Sequence, residues 1–268
     1  MKKKAVAVVM TAVMALGMVS AVSVQAGIED KTLIVGFDAE YPPYGYMDEN
    51  GEYTGFDLEL AQAVCDLEGW ELEKKPINWD SKDMELNSGS IDCIWNGFTM
   101  NGREDDYTFS EPYVDNSQVI VVADDSGIEK LTDLAGKTVG VQAASAALDL
   151  LQSEEEGGQK ELADTFGALN EFADYNTAFT ELQAGALDAL AIDVGVAKYQ
   201  LNSRGEGFKI LDETLNTEQY AIGFKKGNTE LKDQVQKTLD EMVKDGTFTT
   251  IVNNYTDYNL PEMVCLGE

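Results

Sequence analysis

Short apolar strands alternate with segments of helical periodicity along this chain, and this pattern occurs once in each half of the sequence. Strands are predicted for three apolar runs in the first half of the chain, at 32–37, 71–77 and 91–95. Three more are predicted in the second half, at 138–141, 168–172 and 189–192. Helical spacing separates them, with Gly69 ending the first helix and Ser81 opening a short second one. The helices of the second half are predicted at 145–152, 177–184 and 194–201. This alternation is typical of α/β folds, in which helices cover the faces of a sheet.

Two further β-rich runs, 117–122 and 220–224, have no obvious place in either sheet. We interpret them as two crossover strands that lie side by side between two α/β lobes. Helices predicted at 229–245 and 248–255 then return to the first lobe. Lobe 1 is therefore expected to comprise 27–116 and 222–268, and lobe 2 117–221, with hinge strands at about 117–122 and 218–224.

The first 26 residues have the pattern of a signal peptide. Lys2, Lys3 and Lys4 precede an apolar run at 5–19, and small residues at 24–26 form a cleavage site. The sequence therefore predicts export to the periplasm or the cell surface. Ile28 follows Gln25-Ala26-Gly27, so no lipid-modified cysteine is readable at the mature start.

The charge is strongly negative, at −30 for the full chain. Removal of residues 1–26, which contain three lysines and no acidic residue, changes it from −30 to −33. Such a surface repels nucleic acid and anionic lipid headgroups. We expect a soluble, secreted monomer without a nucleic-acid partner.

Histidine is absent, which removes His-based nucleophile activation, His general bases and His-ligated zinc. The three cysteines, Cys65, Cys93 and Cys265, share no metal-ligand spacing. Cys93 lies in an apolar strand and is expected to be buried, whereas Cys65 and Cys265 could pair in an oxidising compartment. We therefore predict no metal site.

The stretch from Gly89 to Tyr113 places a conspicuous cation directly after a strand and a loop of small residues. The predicted strand at 91–95 leads into the loop at 96–102, and Arg103 follows. Open α/β sheets bind ligands at the carboxyl ends of their strands. A guanidinium at this position can hold a carboxylate with two parallel hydrogen bonds. Ionic pairing with Glu104 or Asp105 at the surface is the alternative.

Five motifs in succession give the chain a specific resemblance. They are VGFDAEYPPYGYMDENGEYTGFDLELAQAV, IDCIWNGFTMNGR with TFSEPY, LAGKTVGVQAASA, ELQAGALDALAIDVGVA, and LKDQVQKTLDEMVKDGTFTTIVNNY. Together they resemble the type II extracytoplasmic solute-binding proteins for polar amino acids (bacterial solute-binding protein family 3), which serve ABC importers. The resemblance covers about residues 31–258 and implies two Rossmann-like α/β lobes with the ligand cleft between them. It also implies the absence of a cofactor and of enzymatic activity.

The resemblance implies roles for the polar residues that follow predicted strands. Arg103 and backbone N–H groups would hold the ligand's α-carboxylate, and Asp193 its α-ammonium. The spacing from Thr99 to Arg103 is four residues where the family usually has five, which we interpret as a one-residue deletion in the loop. Gln142 matches a position that often contacts the ligand. From the residues alone, Asp193 could also cap the helix that follows it.

Ser145 begins a predicted helix, where free N–H groups suit a carboxylate, although simple helix capping would also explain it. The resemblance implies that Asp38 contacts the ligand's side chain and that Tyr41 and Trp79 enclose its aliphatic part. Core packing is the alternative for Trp79. Gly97 and Thr99 lie in the loop before Arg103, where the missing Cβ of glycine lets the backbone approach a ligand closely.

The sequence therefore predicts capture of a polar L-amino acid by closure of the cleft, followed by delivery to an ABC permease. Asp38 favours a glutamine or a basic side chain over an acidic one. A sensory binding module is one alternative. A periplasmic dehydratase of prephenate or arogenate is another, although neither Asp38 nor Asp193 has a local reason in the sequence for a raised pKa.

Overall fold

The structure is a computed structural model that describes residues 31–267, so the predicted signal peptide lies outside the described residues. The strands in this range are β1 (Thr32–Phe37), β2 (Glu40–Tyr41), β3 (Gly45–Met47), β4 (Tyr53–Thr54), β5 (Glu71–Pro76), β6 (Cys93–Ile94), β7 (Tyr107–Phe109), β8 (Val114–Ala123), β9 (Thr138–Gln142), β10 (Ala168–Phe172), β11 (Ala189–Asp193), β12 (Phe208–Ile210), β13 (Asn216–Tyr220) and β14 (Gly223–Lys225). The α-helices are α1 (Phe56–Glu68), α2 (Lys82–Ser88), α3 (Ala146–Gln152), α4 (Lys160–Ala163), α5 (Tyr175–Gln183), α6 (Val194–Arg204), α7 (Thr229–Asp245) and α8 (Thr247–Val252).

Lobe 1 is built on a five-stranded sheet with the order β5-β1-β6-β14-β7. Strand β1 pairs in parallel with β5 and β6, whereas β14 runs antiparallel to β6 and β7. Helix α1 connects β1 to β5 through the small β2-β3-β4 sheet and buries Leu60, Ala61 and Val64. It ends at Gly69, whose φ of 68° gives the left-handed C-cap that glycine adopts most readily.

Lobe 2 is built on a six-stranded sheet with the order β10-β9-β11-β8-β12, and β13 also pairs with β8. The parallel strands β9, β10 and β11 alternate with helices, whereas β8 is antiparallel to β11. Successive residues of a strand face opposite sides of its sheet, so Ile120 packs with α3 and Val121 with the core that contains α5. The predicted α/β class with two sheets is confirmed.

The chain crosses between the lobes on two adjacent antiparallel strands. In β8 and β13, Asn116 lies opposite Glu218, Ser117 opposite Thr217, and Val114 opposite Tyr220. The two crossovers therefore lie side by side.

The expectation of one late strand at 220–224 is wrong. Tyr220 ends β13 in the lobe 2 sheet, and Gly223 begins β14 in the lobe 1 sheet. Between them, Ala221 N donates to Phe98 O at 3.0 Å and Ile222 N to Ser110 Oγ at 2.9 Å. The hydrophobic run is continuous, but its hydrogen-bond partners change lobes halfway. The predicted strand at 91–95 is likewise shorter, because only Cys93–Ile94 pairs in the sheet.

The C-terminal helices pack on the side of the lobe 1 sheet that α1 covers. Helix α7 has the predicted boundaries and buries Leu231, Val235, Leu239 and Met242. It packs against α1, α8 and β7. Lobe 1 is therefore assembled from two segments that are distant in sequence.

Cys65 and Cys93 are buried free thiols, so Cys65 does not pair with Cys265 in this structure. Burial raises the pKa of the Cys65 thiol to about 12. Of the helices within residues 31–267, none has both the length and the apolar character to cross a membrane.

Candidate functional site

The two lobes are in direct contact along the cleft, so the structure is a closed one. Arg103 Nη2 of lobe 1 lies 2.7 Å from Asp149 Oδ2 of lobe 2. At the other side of the cleft, Gln142 Nε2 of lobe 2 donates to Asp38 Oδ2 of lobe 1 at 2.7 Å. Lys82 Nζ donates across the cleft to Ala144 O at 3.2 Å.

A narrow cavity lies between these contacts and brings together eight of the nine predicted site residues. Its walls are formed by Tyr41, Trp79, Gly97, Thr99, Arg103, Gln142, Ser145, Ala146 and Asp193. As it stands, the cavity holds little more than a water molecule. A larger molecule can reach this space only when the lobes or the side chains around it move apart.

Arg103 forms the cationic wall of the cavity. Its Nη1 donates to Thr99 O at 3.3 Å, and its guanidinium stacks over the Phe98 ring at 5.1 Å. The ion pair with Asp149 replaces the surface pairing with Glu104 or Asp105 that the sequence left open. A guanidinium has five N–H donors, so these contacts leave donors for a carboxylate.

Asp193 forms the opposite, anionic wall. Its Oδ1 accepts from Gln118 Nε2 at 2.6 Å, from Tyr220 Oη at 2.6 Å and from Asn116 Nδ2 at 2.9 Å. Strand register explains this, because Asp193 lies directly opposite Gln118 where β11 pairs with β8. The capping role considered from the sequence is not observed, since the described bonds of the Asp193 side chain go to hinge side chains and not to α6.

The loop before Arg103 is held by a hydrogen bond to the buried carboxylate of Asp57. Gly97 N donates to Asp57 Oδ2 at 2.5 Å, and Tyr113 Oη donates to the same oxygen at 2.9 Å. Asp57 is fully buried, and burial raises the pKa of its carboxyl to about 7. Gly97 has a φ of 55°, and a Cβ there would lie 3.0 Å from the Tyr41 and Tyr220 rings. The Thr99 hydroxyl is directed to Glu218 Oε1, at 2.8 Å.

Aromatic rings close the sides of the cavity. Tyr41 lies 6.0 Å from the Tyr44 and Tyr175 rings, and its hydroxyl lies 3.5 Å from that of Tyr220. Trp79 contacts Phe98 edge to face and has Lys82 Nζ at 5.2 Å from its ring. Both predicted aromatic residues are thus at the cavity, and Trp79 also packs in a core cluster.

Lobe 2 contributes Gln142 and Ser145 from the end of β9 and the start of α3. Ser145 Oγ accepts from Leu148 N at 3.1 Å, which is the capping interaction considered from the sequence. Gln142 Nε2 donates to Asp38 and also to Ala173 O at 3.0 Å. Both residues are buried and line the cavity.

Asp38 is the predicted residue that does not line the narrow cavity. It borders a wider cleft next to it, which Trp79 also lines. Burial raises the pKa of Asp38 to about 6, although bonds from Glu40 N and Gln142 act in the opposite direction. The sequence-based statement that Asp38 lacks a reason for a raised pKa is therefore wrong, because burial at the lobe boundary supplies one.

Sequence reasoning missed the residues behind the anionic wall. Asn116, Gln118 and Glu218 are 3%, 0% and 5% exposed, and they join Asp193 in one hydrogen-bonded network. A signal was available at the start of the two runs expected to lie side by side. Asn116 and Gln118 are two residues apart there, as are Glu218 and Tyr220. Polar alternation on adjacent strands indicates a shared polar face.

The charged side chains that line the cavity are one basic residue, Arg103, and one acidic residue, Asp193. Within residues 31–267, no group of three or more Cys, Asp or Glu side chains is placed to hold a metal ion. Arg103 and Asp193 face one cavity and offer opposite charges to a molecule between them.

Relatives of this chain bind amino acids. It is 30% identical over 251 residues to the L-cystine-binding protein TcyJ of Escherichia coli strain K12, covering 89% of this chain and 91% of that protein. It is 35% identical over 220 residues to the arginine-binding extracellular protein ArtP of Bacillus subtilis strain 168, covering 81% of this chain and 82% of ArtP.

Solved structures show the same fold. The substrate-binding protein of an ABC uptake transporter from Streptococcus pneumoniae, with bound histidine, matches with a TM-score of 0.79 and 33% identity over 84% of this chain and 92% of that one. The ancestral amino acid-binding protein AncCDT-1, a precursor of cyclohexadienyl dehydratase, matches with a TM-score of 0.75 and 30% identity over 84% and 95% of the two chains.

A family model matches residues 33–258, nearly the whole described range. This chain therefore belongs to the bacterial extracellular solute-binding proteins, family 3.

Proposed function

We propose that this protein binds a polar L-amino acid between its lobes and delivers it to an ABC importer. The observation that carries the proposal is that Arg103 of lobe 1 and Asp193 of lobe 2 line one narrow cavity. The guanidinium suits an α-carboxylate and the carboxylate an α-ammonium group. Asp193 is buried and Arg103 is half-buried, which strengthens these interactions because water competes less for the charged groups.

Binding and closure are one event in this proposal. The open protein offers Arg103 and the aromatic residues of lobe 1, and lobe 2 then brings Gln142 and Ser145 over the ligand. A ligand shifts the equilibrium toward the closed state only by the contacts that it makes there and not in the open state. The interlobe bonds from Arg103 to Asp149 and from Gln142 to Asp38 add to those contacts.

The charge of the wider cleft supports a basic or amide side chain on the ligand. This cleft continues from the cavity past Trp79, and the acidic residues that line it are Asp38, Glu40, Asp80, Glu85, Glu171 and Asp174. A cationic side chain would offset their mutual repulsion, and an amide could donate to Asp38. An acidic side chain would meet this excess of like charge, so we expect it to bind least.

The importer is the partner that family membership supports, and the same closed surface could instead be read by a receptor. Binding without turnover fits both roles, and we propose that the protein is not an enzyme. Export across the membrane, as residues 1–26 predict, would bring the cleft to the side where nutrients arrive.

Titration calorimetry with a panel of L-amino acids tests this proposal, with Arg103→Ala as the main variant. We expect the variant to bind at least about 30-fold more weakly, about 2 kcal/mol, because a buried carboxylate would lose its charged partner. Arg204→Ala is the matched control, since Arg204 lies on α6 and stacks on Phe179, remote from the cavity lining. The proposal fails if no L-amino acid binds, or if Arg103→Ala binds like the wild type.

A dehydratase activity is the second candidate, and two observations favour testing it. Asp38 has a pKa raised to about 6, which suits a general acid, and AncCDT-1 shares the fold. Against this, Asp38 lies outside the narrow cavity and Gln142 donates to it. We expect no turnover of prephenate or arogenate, and turnover that Asp38→Asn abolishes would replace the binding proposal.

A further inference from the structure

Two buried carboxylates meet in the hinge between β8, β11 and β13. Asn116 Nδ2 donates to Asp193 Oδ1 at 2.9 Å and to Glu218 Oε1 at 2.8 Å. Gln118 Nε2 donates to the same two oxygens at 2.6 and 2.8 Å. Since both oxygens share both donors, the carboxyl groups are close neighbours.

The pair has no cation to balance it in the described part of the chain. None of the ion pairs formed within residues 31–267 includes Asp193 or Glu218. Two adjacent buried carboxylates cannot readily both be ionised, which favours a proton on one of them. Burial first, and then the charge of Asp193, raise the pKa of Glu218.

The hydrogen bonds indicate where that proton resides. Glu218 Oε1 accepts three bonds, from Thr99 Oγ1, Asn116 and Gln118. Oε2 takes part in none of these bonds and is therefore the oxygen available for a proton. Glu218 also lines a groove on the other side of this network from the narrow cavity, which gives the proton a route to solvent.

We propose that Glu218 is a positioning residue for the ligand's α-ammonium group: it carries the proton of the Asp193–Glu218 pair and releases it to solvent when that ammonium docks on Asp193. This inference rests on the proposed function. In this step the O–H bond of Glu218 breaks and the proton passes to the buffer. The positive charge of the ligand's ammonium group takes the place of the proton's charge. The network through Thr99, whose carbonyl accepts from Arg103, joins both ends of the ligand to this residue.

The other groups around Glu218 do not supply this proton. Three phenols lie near it, Tyr44, Tyr175 and Tyr220, and burial raises the pKa of each well above its usual value, so they stay neutral. The charged residues that share the hinge groove with Glu218 are Asp115, Lys198 and Glu262. They line an open surface on the outer side of the network, where solvent screens them.

Calorimetry in two buffers of different ionisation enthalpy counts the protons released on binding. The probes are L-arginine and L-glutamine. The side chain of glutamine is neutral, so its binding should not release a proton from Asp38. Across about pH 5 to 8 we expect wild-type protein to release up to one proton for each ligand, and its affinity to fall as pH falls. Glu218→Gln keeps an oxygen acceptor but has no proton to release, so we expect near-zero release and a flatter pH profile.

Glu262→Gln is the matched control, with the same chemical change in the same groove, and we expect wild-type proton release from it. Binding by wild-type protein without proton release at any pH overturns the inference, and this measurement does not depend on whether a variant folds. Release by Glu218→Gln equal to that of the wild type overturns it as well. Absence of binding by every amino acid overturns the proposed function itself, a result distinct from both.

Discussion

At the residue scale, Gly97 combines a left-handed backbone with close aromatic neighbours. Its φ is 55°, and a Cβ would lie 3.0 Å from both the Tyr41 and Tyr220 rings. Gly102, in the same loop, has a φ of 78° but open space where a Cβ would be. A side chain at Gly97 would therefore cause both backbone strain and a close contact with the cavity wall, whereas a side chain at Gly102 would cause backbone strain alone.

This difference predicts distinct outcomes for Gly97→Ala and Gly102→Ala. Both should lose about 1–2 kcal/mol of folding stability, because an L-residue is strained in this conformation. Only Gly97→Ala should also weaken amino-acid binding, by about tenfold or more, since its methyl group displaces the rings beside Arg103 and Asp193. Thermal unfolding and calorimetry measure the two effects, and equal affinities for the two variants would contradict this reading.

At the element scale, α6 of lobe 2 packs closely against lobe 1 at Gly195. A Cβ there would lie 2.3 Å from Tyr44 Oη and 3.0 Å from the Tyr44 ring. The Tyr44 hydroxyl is buried and has no hydrogen-bond partner in the described part of the chain. Glycine at this place thus permits a close approach of two elements from different lobes.

We therefore expect Gly195→Ala to weaken ligand binding by holding the lobes apart. Alanine is favoured over glycine within a helix by about 1 kcal/mol, so α6 itself should not be destabilised. Adding Tyr44→Phe removes the atom in closest contact and should restore part of the affinity, whereas Tyr44→Phe alone should bind like the wild type. Failure of the double variant to recover any affinity would place the effect of Gly195→Ala elsewhere.

Elements with one consistent pattern were predictable from the sequence. β1, β10 and α7 have the predicted boundaries, because their residues keep one period and one set of neighbours throughout. The run at 220–224 was not predictable, since its apolar pattern is unbroken while its partners change from β8 to β6. Tertiary pairing, which local sequence does not encode, decides such a boundary.

The candidate site divides in the same way. Arg103 and Asp193 follow predicted strands, so their meeting in one cavity could be anticipated from topology and resemblance. The partners Asp149 and Glu218 could not, because each reaches the site by the packing of one lobe against the other or by strand register. Asp57 lies in the first turn of α1, where an acid is ordinary, and only its distance to Gly97 N reveals its role.

At the scale of the whole molecule, the buried carboxyls predict how stability depends on pH. The pKa of Asp57 is about 7 and that of Asp38 about 6, against 3.8 for an ordinary aspartate, and burial is the main cause for both. Between about pH 4 and pH 7 the folded protein therefore binds more protons than the unfolded chain. The contribution of these two groups to the free energy of unfolding is therefore largest at the acidic end of this range. It falls as pH rises, by up to about 1.4 kcal/mol per pH unit for each group.

Urea denaturation of ligand-free protein across this pH range measures the effect. We expect the midpoint to fall from about pH 4.5 to pH 7, and Asp57→Asn, which removes one of the titrating groups, to flatten the profile. Asp245→Asn changes an exposed aspartate and serves as the control. It should leave the slope of the urea midpoint between about pH 5 and pH 7 unchanged. A wild-type midpoint that rises over the range would refute the assignment.

The placement of β14 also has a consequence for how the chain acquires its structure. Lobe 2 is one continuous segment, whereas the lobe 1 sheet needs β14 between β6 and β7, and β14 is made only after all of lobe 2. A chain emerging from its N-terminus can complete lobe 2 while lobe 1 still lacks a central strand and the covering helix α7. Lobe 1, which carries Arg103, is thus completed last. Until then β6 and β7 have unpaired edges that can pair with strands of other chains.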